Sequence, residues 1–155
     1  VGLNEQKAQE LKIPIRVSKI DYSMIARAIA MRKTTGFFKI IVSDDDDMKV
    51  LGMRAVGEHA SSAIQSVALL MYMNKGIDEL AHMIHPHPSI VEGVQECVRM
   101  LIGKSIYKSS VFKDKLKCYK RTIEGEKLPL HTLTENSEEN MNREKMREMN
   151  RTNVN

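Results

Sequence analysis

The sequence predicts an α+β fold, an antiparallel sheet packed against helices in a single domain. Three observations predict it. Short segments rich in β-branched and aromatic residues fall early, between Ile13 and Val56. Segments with apolar residues at helical spacing fall later, between Ala60 and Ile102. The chain's 155 residues suit about one domain, and a domain of this size buries ~68–70% of its unfolded surface.

Asn4 is placed to cap a short first helix, with Glu5 in the first turn and Leu3, Ala8 and Leu11 on the apolar side. Pro14 ends it. Ile13, Ile15 and Val17 then alternate with polar residues, as in a half-buried strand. After a polar loop around Arg32–Thr35, Gly36 to Val42 reads as a second strand. Val50 to Val56 returns as its hairpin partner across Ser43-Asp44-Asp45-Asp46-Asp47. The four aspartates lack the spaced ligands and distal glutamate of an EF-hand, so the loop reads as a solvated turn.

Gly57 breaks the strand, and Ala60 to Asn74 is predicted helical, with Ala60, Ile64, Val67, Ala68 and Met71 on one face. Leu70 and Met73 widen the apolar surface beyond one stripe, which calls for neighbours on more than one side, another subunit among them. Gly76 is the expected stop. A short helix from Ile77 to Ile84 turns Leu80, Ala81 and Ile84 inward, and a third helix from Ile90 to about Ile102 buries Ile90, Val94, Cys97 and Leu101. Residues 104–121 are strongly basic with interleaved Ile106, Tyr107, Val111, Phe112, Leu116 and Tyr119, and read as an extension packed back on the domain. Residues 122–155 read as a polar, loosely ordered tail in which Met146 and Met149 mark a candidate short helix.

Composition narrows the function. Up to Gly103 there are twelve Lys/Arg against twelve Asp/Glu, and from Lys104 onward twelve against eight, so the net charge of +4 lies entirely in the last third. A neutral body with a basic tail, without a recognisable binding fold, argues against nucleic acid as the partner of the core. No run of about 18 apolar residues exists, which argues against a membrane span. No basic-then-apolar leader opens the chain. Two cysteines, Cys97 and Cys118, are too few for a disulfide framework and suit a cytoplasmic setting. The chain opens on Val1 without an initiator methionine, as a piece of a longer protein would.

Ile84 to Gly93 reads IHPHPSIVEG, and three readings apply to its His-Pro-His-Pro: a metal site, an acid–base pair, or a stiff helix start. Each proline holds the histidine before it extended, and period two aims His85 and His87 to one side. Either His–Pro bond is a candidate for the cis form. Ser89 and Glu92 have capping-box spacing. That structural role is compatible with a chemical one, since a first-turn carboxylate lies near the residue before the cap and can orient His87. The metal reading, with His82, His85, His87 and His59, has no strong zinc spacing and no nearby cysteine.

Four blocks, in order and at matching spacing, bring the chain to a known family. They are Val1-Gly2-Leu3-Asn4-Glu5; Arg27-Ala28 with Met31 and Thr35-Gly36-Phe37 through Lys39; Leu51-Gly52 through Val56-Gly57-Glu58-His59-Ala60-Ser61; and His85-Pro86-His87-Pro88-Ser89 through Glu92. Over residues 1–103 the chain resembles the C-terminal dimerisation domain of the pyridine nucleotide–disulfide oxidoreductases, the FAD- and NAD-linked reductase type. The double histidine favours the dihydrolipoamide dehydrogenase branch over the glutathione and mercuric reductases. The resemblance implies a homodimer in which His87 reaches the partner subunit's active site and exchanges protons with a dithiol substrate and a redox-active cysteine pair. It implies that Glu92 hydrogen-bonds His87 and holds its orientation. An imidazole suits the task because it accepts and releases protons near neutral pH, and the thiolate it generates is the nucleophile of disulfide exchange.

The chain departs from the whole family pattern in two respects. It has no G-x-G-x-x-G fingerprint, and Cys97 and Cys118 do not form a close redox pair. FAD, NAD(P) and the disulfide are therefore expected upstream of Val1, and the fragment alone is expected to bind no cofactor or metal and to turn nothing over. The alternative is a non-catalytic interaction module whose basic segment, Lys104 to Arg121, docks an acidic partner or RNA.

Overall fold

A computed structural model describes residues 1–108 and 111–130. Five antiparallel strands form one sheet in the order β3-β2-β1-β4-β5. They are β1 (Ile15–Asp21), β2 (Phe37–Ser43), β3 (Val50–Val56), β4 (Leu116–Arg121) and β5 (Lys127–Pro129). The helices are α1 (Glu5–Glu10), α2 (Ala26–Ala30), α3 (Ala60–Tyr72), α4 (Asp78–His82) and α5 (Glu92–Leu101). The α+β expectation holds, and the β2–β3 hairpin falls on the predicted segments.

β1 lies at the centre of the sheet, and its side chains alternate between two buried environments. Ile15 and Val17 pack with Ala8 of α1 and with Ile41. Ile20 enters the main core with Phe38, Ile40, Val94 and Cys97. Asn4 caps α1 as predicted, its side-chain oxygen accepting from Lys7 N–H at 2.7 Å. Ala8 is the buried residue of that helix, while Leu11 is exposed, because one turn and a half is too short to hold both against the sheet.

The predicted face of α3 is met in part: Val67 is buried and Ile64 and Met71 pack half-buried against the core, while the other fully buried positions are Ala63 and Leu70. The helix is stopped by Asn74 rather than Gly76. Asn74 takes the left-handed conformation, φ 53°, and Asn74 and Lys75 N–H donate to Met71 and Leu70 carbonyls at 3.1 and 2.9 Å, the pattern of a Schellman stop. α4 ends at His82, so Ile84, expected inward, is 94% exposed. α5 begins at Glu92, and all four residues predicted for its inner face are buried.

Three features escaped the sequence pattern. A 3-10 turn at Tyr22–Met24 leads into the five-residue α2. Asp44 is no solvated turn residue, because it pairs with Arg16 at 2.7 Å and with Lys120. Within the basic extension, Leu116–Arg121 is β4, hydrogen-bonded to β1 from Ile15↔Arg121 to Ile20↔Leu116. A turn at Ile123–Gly125 then returns the chain as the short edge strand β5. The tail beyond residue 130, with the candidate helix at Met146 and Met149, lies outside the described residues.

Candidate functional site

His87 and Glu92 meet at the start of α5. Glu92 is the first residue of that helix, and the His87–Pro88 bond is cis. His87 Nδ1 lies 2.8 Å from Glu92 Oε1, and Ser89 N–H donates to Glu92 Oε2 at 2.8 Å. One carboxylate thus closes the turn with one oxygen and engages the imidazole with the other. It is the backward half of a capping box. The forward half is absent among the described residues, where Ser89 Oγ is buried without a hydrogen-bond partner.

The electrostatics follow from this geometry. Partial burial works to raise the Glu92 pKa, but the Ser89 amide, the His87 contact and the nearby Arg99 outweigh it and hold the carboxyl below its usual range. An ionised Glu92 is an acceptor only, so His87 Nδ1–H donates to it, and in a neutral ring Nε2 is the nitrogen with the free lone pair. The His87 side chain is 72% exposed while Glu92 is 25% exposed, so the imidazole is held at Nδ1 and otherwise open to solvent. The position of α5 depends on Gly93, where a Cβ would come within 2.5 Å of Ile25 Cδ1 and 2.7 Å of Phe38 Cδ2. Only a glycine lets the first turn of the helix sit this close to β2.

The other histidines are dispersed into local roles. His85 Nδ1 lies 3.1 Å from the Met83 carbonyl, and His82 Nδ1 lies 2.8 Å from the Asp78 carbonyl. His59 sits in the left-handed region, φ 58°, at the head of α3. Among the described residues no three His, Cys, Asp or Glu side chains gather as a metal site. Both thiols are buried; burial pushes the Cys97 pKa far up and that of Cys118 to about 12, which disfavours the thiolate form at both.

Behind Glu92 lies a group that the sequence reading passed over. Glu96, one turn along α5, is 2% exposed and shares a pocket of about 20 Å³ with Glu92, Arg99, Tyr107 and the apolar Ile25. That volume is far below the ~300–1,000 Å³ of a cofactor site, so neither a flavin nor a nicotinamide fits there.

Comparison with known proteins agrees with this architecture. Residues 1–98 match the profile of the family described as pyridine nucleotide-disulphide oxidoreductase, dimerisation domain. Dihydrolipoyl dehydrogenase of Staphylococcus aureus is 33% identical over 107 residues, covering 69% of this chain and 23% of the relative. The enzyme of the same name from Chlamydia trachomatis is 36% identical over the same shares. Mercuric reductase of Lysinibacillus sphaericus is 32% identical over 110 residues, 71% of this chain and 20% of that protein. The crystal structure of LpdA from Mycobacterium tuberculosis superposes with a TM-score of 0.59 at 24% identity, covering 64% of this chain and 21% of that one, and shares the fold. The chain spans about a fifth of the length of these curated relatives. Matched by the family profile over residues 1–98 and by relatives above 30% identity, this chain belongs to the dimerisation-domain family of the pyridine nucleotide-disulphide oxidoreductases and is related to dihydrolipoyl dehydrogenase.

Proposed function

We propose that the chain is the interface domain of a homodimeric, flavin-dependent dithiol–disulfide oxidoreductase, cytoplasmic and of the dihydrolipoamide dehydrogenase type. In this reading His87 is the acid–base supplied to the partner subunit's active site, and Glu92 is the residue that positions it. The observation that carries the proposal is the 2.8 Å contact between His87 Nδ1 and Glu92 Oε1 on a side chain that is otherwise open to solvent.

The chemistry follows from the tautomer. Nε2 takes the proton of a dithiol sulfur as that sulfur attacks a disulfide. A new S–S bond forms, the old one breaks, and its second sulfur leaves as a thiolate. Nε2 returns its proton to that thiolate and then takes the proton of the remaining thiol, which attacks the substrate's own sulfur in the mixed disulfide. That bond breaks, the substrate closes to a disulfide, the other sulfur leaves as a thiolate, and two electrons have passed. His87 holds one proton at a time, opposite the negative charge of Glu92. FAD, NAD(P) and the disulfide belong to other parts of the enzyme that carries this domain, and the domain alone turns nothing over.

The test is His87→Gln in that enzyme. Dithiol oxidation is expected to fall by about 10²–10⁴-fold, the usual worth of a positioned acid–base, with folding unchanged because the side chain is exposed. Turnover close to wild type would sink the assignment. The reading as an RNA- or acid-binding module has less support. Three cations of the basic segment already face carboxylates within the domain, Lys115 toward Asp21, Lys120 toward Asp44 and Arg121 toward Glu5.

A further inference from the structure

The hydrogen bonds around Ser105 do not balance if Glu96 is ionised. Ser105 Oγ lies 2.5 Å from Glu96 Oε1 and 2.9 Å from the Tyr107 carbonyl oxygen. It also accepts from Tyr107 N–H at 3.1 Å. A hydroxyl has one proton and two lone pairs. The Tyr107 carbonyl can only accept, and so can a carboxylate, which would leave one proton facing two acceptors. A carboxylic acid removes the conflict. Glu96 Oε1–H then donates to Ser105 Oγ, Ser105 O–H donates to the Tyr107 carbonyl, and Tyr107 N–H donates to Ser105 Oγ.

The second carboxyl oxygen gives the same answer. Glu96 Oε2 is buried without a hydrogen-bond partner among the described residues, and Arg99 comes only to 3.8 Å. A bare buried carboxylate oxygen is costly to desolvate, whereas the carbonyl oxygen of a neutral acid is far less so. The remaining groups around Glu96 do not reverse this. From α5 come Glu92, an anion, and Arg99. From the 105–107 segment come the Ile106 amide and Tyr107, whose hydroxyl donates to the Met24 carbonyl at 2.8 Å. From β1 and the turn before α2 come only Ile20, Met24 and Ile25.

We propose that Glu96 is held as a neutral carboxylic acid and acts as a pH-sensitive latch, fixing the 105–107 segment against α5 and so bracing the turn that carries Glu92. Glu96 is a positioning residue in this scheme. Its link to His87 rests on the functional reading above, while its protonation does not. The direction of its pKa agrees: burial, the largest influence, raises it, and neither Arg99 nor the Ile106 amide cancels that, nor would a Ser105 hydroxyl that donated to a carboxylate instead of accepting from the acid. The sign for stability follows. A carboxyl whose folded pKa is raised contributes fully below its unfolded value and loses that contribution as pH rises through the folded value. The latch therefore opens on the alkaline side.

The test is a carbon-detected titration of the glutamate carboxyls in the whole chain, with no turnover involved. Glu96 is expected to titrate above the exposed glutamates. Ser105→Ala is expected to lower its midpoint, because the variant removes the acceptor of the acid's proton. If Glu96 were ionised and accepting from Ser105, the same variant would raise the midpoint, and that result would overturn the proposal, as would a Glu96 that titrates with the surface residues. Glu96→Gln puts an N–H donor in the same place. It is expected to keep amide-exchange protection at Tyr107 unchanged across the pH range in which the wild type loses it. Wild-type protection that stays flat over that range would also count against the latch. Normal turnover by His87→Gln would remove the functional reading and leave these outcomes as they stand.

Discussion

Two glutamates one helical turn apart do opposite things because their surroundings differ. Glu92 stands at the mouth of α5, where a backbone amide and an imidazole reward its charge. Glu96 lies inside, where burial penalises it. The His87 contact itself is weak as a stabiliser, since an ion pair this exposed is worth about 0–1 kcal/mol; in the proposed function its role is orientation. The Ser89 amide bond is the structural part of the arrangement, on the scale of ~0.5–2 kcal/mol for a helix cap. A carboxyl with a depressed folded pKa contributes stability above its unfolded value, near 4.5, and loses it as pH falls through the lower folded value. Glu92→Gln, which keeps an acceptor for Ser89 but no charge, should therefore be less stable than wild type at neutral pH by about 1 kcal/mol. The gap should close as pH falls below the unfolded value. Urea midpoints for both proteins at a series of pH values read it directly, and a gap that widens in acid would contradict the charge assignment.

At the scale of elements, the main lesson is how residues beyond the family match join the sheet. β4 pairs along β1, and carboxylates of the preceding residues reach it. Glu5 bonds Lys39 at 2.8 Å and accepts from the Tyr119 hydroxyl at 2.7 Å, with Lys127 at 3.9 Å. Burial would raise the Glu5 pKa, but the Lys39 and Tyr119 bonds and the nearby lysines hold it down. Leu116 fills the core between β1 and the helices at 1% exposure. Leu116→Ala is expected to destabilise the domain by about 2–5 kcal/mol, measured by chemical denaturation. A change under about 0.5 kcal/mol, typical of surface positions, would show β4 to be peripheral and would favour a domain that closes at residue 103. The sequence revealed some elements and hid others for physical reasons. β2 and β3 were legible because Phe37 to Val42 and Val50 to Val56 are β-branched, aromatic and bounded by turn residues. β4 reads LKCYKR, and its lysines and arginine mask the alternation; the charges of Lys120 and Arg121 are met by Asp44 and Glu5, which no local pattern shows. His87 and Glu92 were legible from proline and capping-box spacing. Glu96 was not, because its partner Ser105 is nine residues away and the pocket exists only after folding.

The whole molecule leaves a stripe on α3 that its own core does not use. Leu69, Tyr72 and Met73, at i, i+3 and i+4, share one helix face and are 55%, 89% and 53% exposed. Leu70 and Val67 point the other way, into the core. A monomer seldom keeps such a stripe in water, and membership of a dimerisation-domain family makes a second copy of the chain the occupant to test. The segment after α4 continues the theme with exposed Met83 and Ile84, directly before the turn that carries His87. Association and the site are thus joined through one short stretch of chain. The prediction is that the protein sediments as a dimer at micromolar concentration and that Tyr72→Glu shifts it to a monomer. Loss of an aromatic anchor of ~2 kcal/mol or more corresponds to a rise in the dissociation constant of about 30-fold, and a buried charge adds to it. The thermal midpoint, extrapolated to low protein concentration, should hardly change, because a side chain this exposed contributes little to its own core. In the enzyme of the proposed function, the variant should lose turnover on dilution although His87 and Glu92 are intact, since in that proposal the imidazole acts across the boundary between copies. A wild-type chain that remains monomeric at tens of micromolar, or a Tyr72→Glu variant that dimerises as before, would place the interface elsewhere and detach His87 from it.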